Sequence, residues 1–197
     1  MDSATSDPAT PFLSLKILVA GGFGAGKTTF VGSVSEIRPL NTEEVLTEAG
    51  RADDDLDGVA AKRTTTVALD FGRITIGDDL ALYLFGAPGQ DRFWFLWDEL
   101  AQGALGAVVL ADTRRLRDCF APIDHLERRG LPFVVAVNCF HGAREYTARE
   151  VAAALDLDAR TPVVLCDARE RKSGREVLIT LVELAGDLLG AGGTATA

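Results

Sequence analysis

Short apolar runs alternate along this chain with longer stretches in which apolar residues recur every three or four positions. "FLSLKILVAG" (12–21) has the continuity of a buried strand, and "KTTFVGSVSEI" (27–37) follows with helical spacing. Residues 38–63 carry neither period and read as a long irregular segment. "TTTVALDFGRITIGDDLALYLF" (64–85) is two strand patterns around Gly77-Asp78-Asp79, a hairpin signal. Beyond it come a helix in "DRFWFLWDELAQ", a strand in "GALGAVVLAD" and a helix in "RRLRDCFAPIDHLERR", where Pro122 marks a kink or a second start. A strand "PFVVAVN", a helix "TAREVAAALDL", a strand "PVVLCDA" and a closing helix "GREVLITLVELAGDLL" complete the order.

This β-α-β-β-α-β-α-β-α-β-α order predicts a three-layer α/β fold. Its sheet is six-stranded and mostly parallel, with one antiparallel strand and helices on both faces. One domain over 12–190 is expected, with disordered tails at 1–11 and 191–197, where the sequence turns small, polar and Gly-rich. In such sheets ligands sit at the carboxyl ends of the strands.

The formal charge of −9 argues against a nucleic-acid partner, which needs a basic face. No apolar stretch is long enough for a transmembrane segment, so a cytoplasmic location is expected, with membrane recruitment only peripheral and through partners. Cys119, Cys139 and Cys166 match no metal-ligand spacing and read as buried free thiols.

"GGFGAGKT" (21–28) fits G-x-x-x-x-G-K-[ST] between a predicted strand and a predicted helix, the context a phosphate-binding P-loop requires. Gly22, Phe23, Gly24, Ala25, Gly26, Lys27, Thr28 and Thr29 are its candidate nucleotide contacts. Backbone N–H groups and the helix N-terminus attract phosphate oxygens, Lys27 adds a point charge, and the Thr28 hydroxyl suits Mg²⁺.

With the hairpin and "FGAPGQDRF" added, residues 12–190 resemble the Ras-like small GTPases. The wording "TTVALDFGRI", "FGAPGQDRF" and "VNCF" is most similar to bacterial GTP-binding proteins of conservon operons, which are related to the bacterial polarity GTPases. The resemblance implies a GTP/GDP switch with Mg²⁺ and slow or partner-stimulated hydrolysis. It also implies a small roadblock-type regulatory partner at the switch region. Alternatives are a non-hydrolysing nucleotide-binding scaffold and, behind it, an ATP-using P-loop enzyme.

By the same resemblance, Gly89 offers its N–H to the γ-phosphate and Gln90 orients the attacking water. Of Thr64, Thr65 and Thr66, the last is the metal-sensing threonine. Asn138 matches the asparagine of the guanine motif. His141 follows at the position of its aspartate, and Cys139 at that of its lysine. Asp167, Ala168 and Arg169 form the second base loop, with the Ala168 N–H directed at the guanine oxygen. Arg63 is either an arginine finger in cis or a balance to the acidic run at 53–57.

Two departures raise further expectations. Gly86 occupies the place of the family's metal-holding aspartate. Counting rungs back from the 77–79 turn places Asp70 opposite Gly86, where its carboxylate can substitute; a register one residue off points it away. Residues 93–97 form an unusually apolar run. Phe93, Leu96, Trp97 and Leu100 share a helical stripe suited to a core, leaving Trp94 and Phe95 as surplus. Phe93, Trp94, Phe95 and Trp97 are together the candidate partner surface.

Overall fold

The computed structural model describes residues 13–38, 40–47, 64–77, 79–89, 94–140 and 145–193, with backbone alone at 40–47, 64–68, 94–95 and 191–193. Seven strands form one sheet in the order β2-β3-β4-β1-β5-β6-β7. They are β1 (Leu13–Gly21), β2 (Leu40–Thr47), β3 (Thr64–Ile76), β4 (Leu80–Gly86), β5 (Ala104–Ala111), β6 (Phe133–Asn138) and β7 (Val163–Cys166). The helices are α1 (Lys27–Val34), α2 (Trp94–Ala101), α3 (Phe120–Arg129), α4 (Ala148–Ala154) and α5 (Arg171–Gly193).

The expected mostly parallel sheet is present, and β3 is its antiparallel strand. The structure adds β2, which lies along the outer edge of the hairpin, antiparallel to β3, inside the segment read as irregular. "LNTEEVLT" has no strict alternation of apolar and polar residues. Its strand character comes from the ladder that the long β3 offers beyond the end of β4.

The strands alternate between two cores, because successive side chains leave opposite faces. Ile17, Val19, Val108, Leu110, Val134 and Ala136 pack under α1 and α5 with Phe30, Val31, Val177 and Leu181. Leu18, Ala20, Val109, Val135 and Val137 face the other way, against Trp97, Ile123, Leu126 and Val151. Each fully buried Val, Leu, Ile or Phe among them contributes roughly 1.5–3 kcal/mol.

A 3-10 helix, Thr113–Cys119, connects β5 to α3. Pro122 lies in the first turn of α3, where a missing N–H costs nothing. It marks a second start, not a kink. Cys119, Cys139 and Cys166 are all buried and free. No described helix is long and apolar enough to cross a membrane.

Candidate nucleotide site

β1 delivers the P-loop to the carboxyl edge of the sheet, and α1 begins at Lys27. Gly26 caps α1 with φ 105°, a conformation L side chains rarely adopt. Lys27 folds back over the loop, its Nζ donating to the Gly21 and Gly22 carbonyls at 2.9 and 2.8 Å. Burial pushes its ammonium down to about 8, against the opposing pull of Asp70. A phosphate here would meet a charge already desolvated, which strengthens the attraction.

Asp70 sits where the rung count placed it. β3 and β4 pair Asp70 with Gly86, and β4 in turn pairs Gly86 with Val19 of β1. A Cβ added to Gly86 would lie 2.9 Å from the Asp70 Cβ and 3.1 Å from its Oδ2. The carboxylate therefore covers the bare position across one rung, and only glycine leaves room for it. Thr28 Oγ1 donates to Asp70 Oδ2 at 2.7 Å.

These two oxygens fit Mg²⁺. In an octahedral shell with bonds of about 2.0–2.1 Å, adjacent ligands are about 2.9 Å apart, close to the 2.7 Å seen. No cluster of three or more His, Cys, Asp or Glu exists among the described residues. A cation held by this pair would need phosphate and water to complete its shell.

Gly89 closes the same corner. A Cβ there would lie 2.6 Å from Lys27 Nζ and 2.9 Å from Phe23 N, so the backbone after β4 rests directly on the P-loop. Phe23 points outward, 65% exposed. Thr29 lies exposed on the first turn of α1.

Across the P-loop, Asn138 is a buried tie. Its Nδ2 donates to the Ala25 carbonyl at 2.9 Å, and its Oδ1 accepts from the Ala168 N–H at 3.1 Å. The Ala168 N–H, expected to face a base, donates here to Asn138. Asp167 and Arg169 pair with each other, Arg169 Nε and Nη2 donating to the carboxylate at 2.9 and 2.6 Å. The Cys139 thiol turns inward to the Val137 carbonyl at 3.7 Å.

The structure does not bring Thr66 to the Thr28–Asp70 pair. Thr66 is a β3 residue paired with Val45, four positions before Asp70, a separation of about 13 Å along a strand. A contact with the same cation requires this end of the β2–β3 ladder to rearrange. Arg63, Gln90, Phe93 and His141 lie outside the described residues, as do the side chains of Trp94 and Phe95.

Trp97 corrects the proposed partner surface: it is core. It is 2% exposed, packs edge-on to His125 with ring centroids 5.7 Å apart, and donates from Nε1 to the Pro88 carbonyl at 3.3 Å. An indole that is both packed and hydrogen-bonded is not free to anchor a partner. Arg115 and Asp118 escaped the sequence reading. Both stand beside the P-loop on the 3-10 helix; only their place just after a strand's carboxyl end signals it.

Comparison with known proteins agrees on the fold. The G domain of the T. maritima FeoB iron transporter superposes with a TM-score of 0.60 at 18% identity, over 88% of this chain and 99% of that domain. The Arl6 small GTPase of Trypanosoma brucei, solved with the analogue GppNp, superposes with 0.61 at 20% identity, over 89% and 99%. The architecture is that of Ras-like P-loop GTPases. An uncharacterised protein of Methanocaldococcus jannaschii is 26% identical over 126 residues, 63% of this chain and 69% of its own length. Residues 19–187 match the model of a nucleotide-binding family, and over that span the chain belongs to the family described as conserved hypothetical ATP binding protein.

Proposed function

We propose that this protein binds GTP and GDP with Mg²⁺ and acts as a conformational switch. The observation carrying this reading is the Thr28–Asp70 pair over Gly86, beside Lys27 and Gly89. Lys27 holds the outer phosphates, and the α1 N-terminus orients them. Thr28 and Asp70 would hold Mg²⁺, which would neutralise phosphate charge. The Gly89 N–H meets the terminal phosphate, and Gln90 orients the water. Arg63 is the candidate arginine finger in cis, adding positive charge at the terminal phosphate.

The Pro88–Trp97 hydrogen bond supports switching, because it couples the loop at Gly89 to α2. α2 continues to α3 through Trp97–His125 stacking and the Asp98–Arg129 ion pair. Loss of the terminal phosphate would release the 86–97 segment. Phe93, Trp94 and Phe95 then present a nucleotide-dependent face to a roadblock-type partner, which could also recruit the protein to a membrane. The conservon-type kinship is part of this proposal and rests on sequence wording.

A second reading, adenine-nucleotide binding, is favoured by the family's description and by the engagement of the Ala168 N–H with Asn138. His141 has one acceptor nitrogen when neutral, half of what guanine's two N–H groups ask for. Calorimetry with GDP and ADP decides between them. Tighter GDP binding, sharpened by His141→Asp, is expected; preference for ADP overturns the guanine assignment. Single-turnover phosphate release then separates a hydrolysing switch from a scaffold.

A further inference from the structure

A cleft of about 380 Å³ opens at the Gly21–Phe23 end of the P-loop, opposite the end that Asn138 holds. Gly22, Phe23 and Gly89 form one wall, and Arg115, Arg117 and Asp118 the other. The two walls touch. A Cβ on Gly22 would lie 2.6 Å from the Asp118 Cβ, so the 3-10 helix is in direct contact with the loop backbone. That helix is interrupted at Arg115, whose φ and ψ of −140° and 43° are not helical. The Arg115 guanidinium pairs with Asp118 Oδ2 at 2.8 Å, and Arg117 Nε lies 3.7 Å from Oδ1 of the same carboxylate.

One carboxylate shared by two guanidinium groups leaves a net positive charge facing this cleft. The cleft lies at the Gly89 end of the site, where Lys27 Nζ also sits. On the proposed function, the phosphate that meets Gly89 and Lys27 is the terminal one, and it is the phosphate nearest this cleft. Arg115 is half-exposed, so its guanidinium is free to turn, and Arg117 stays beside Asp118 when it leaves.

Resting on the proposed nucleotide-binding function, we infer that Arg115 is a built-in triphosphate sensor. It exchanges Asp118 for the terminal phosphate, and Asp118 sets the threshold by competing for the same fork. Bidentate guanidinium–phosphate pairing is the strong form of this contact.

The test is calorimetry on the full chain with Mg²⁺, using GDP, ADP and the non-hydrolysable imido analogues of GTP and ATP. Arg115→Ala should weaken analogue binding roughly ten- to a hundredfold, the range for one charge-assisted hydrogen bond, and leave diphosphate binding unchanged. Arg115→Lys, which keeps the charge and loses the fork, should fall between. Asp118→Asn keeps its packing on Gly22 and frees Arg115, so analogue binding should tighten. A pair that is merely structural makes Arg115→Ala and Asp118→Asn act alike, on diphosphates and analogues equally; that result overturns the sensor. Wild-type protein that binds none of the four nucleotides overturns the sensor together with the function beneath it.

Discussion

The two ends of the site are built differently. At the phosphate end, Lys27, Thr28, Asp70 and the backbone at Gly89 converge on one corner. Lys27 is held there by loop carbonyls, and its charge is depressed by burial. At the opposite end, Asn138, Ala168, Asp167 and Arg169 bond to one another and to the loop. Polar groups aimed at a common point prepare a binding site. Polar groups bonded to one another and to the loop brace it.

Breaking each end should therefore give opposite phenotypes. Lys27→Ala should reduce nucleotide affinity by at least about a hundredfold, since it removes charge-assisted bonds to phosphate. Its melting temperature should fall only slightly, because the desolvation cost of the ammonium offsets the two carbonyl bonds it makes. Calorimetry and circular dichroism check the two halves; unchanged affinity in a folded variant removes the phosphate site.

Asn138→Ala should do the reverse. It leaves the Ala25 carbonyl and the Ala168 N–H without their buried partner. A loss of about 2–4 kcal/mol is expected from two stranded backbone groups, read as a lower urea midpoint. Stability equal to the wild type would show that the brace is dispensable.

Asp70→Ala sharpens the phosphate end. Affinity in EDTA should hardly change, while Mg²⁺-dependent tightening should fall by about tenfold, the scale of one lost charged ligand. Gly86→Asp in that background should restore part of it, since the two positions face each other across one rung. Gly86→Asp alone should be unfavourable, because its Cβ would strike Asp70 at 2.9 Å.

Trp94→Ala should leave the melting temperature nearly unchanged and weaken capture of a roadblock-type partner. A large drop in stability would assign that side chain to the core, as Trp97 already is.

The smallest signal compares the two ends through their thiols. Burial pushes Cys119, which supports the 3-10 helix, and Cys166, which precedes the 167–169 loop, up to about 12. Both pKa values lie above that of the unfolded chain, so folding favours the thiol form. This contribution is fully present below about pH 9 and fades as pH rises towards 12. At pH 8 both thiols are essentially un-ionised, and iodoacetamide should label neither in the folded protein. Faster labelling of Cys166 than of Cys119, followed by mass spectrometry, would show that the brace opens before the phosphate end does.

The strands, the P-loop and the hairpin were legible because each rests on local rules. Continuous apolar runs form buried strands, glycines permit the loop, and Gly77 allows a tight turn. The Asp70–Gly86 rung also followed from counting, because antiparallel pairing is fixed once the turn is. What the linear sequence could not decide were the relations between distant segments. β2 is a strand because β3 extends past β4 and offers it a ladder. Trp97 is buried because β1, β5 and α3 leave a space on its side of α2. Arg115 stands beside the phosphate loop because β5 ends next to β1 and the chain then turns over Gly22. Local propensity needs only neighbours in the chain; placing a charge or a ring opposite a phosphate loop needs the whole sheet.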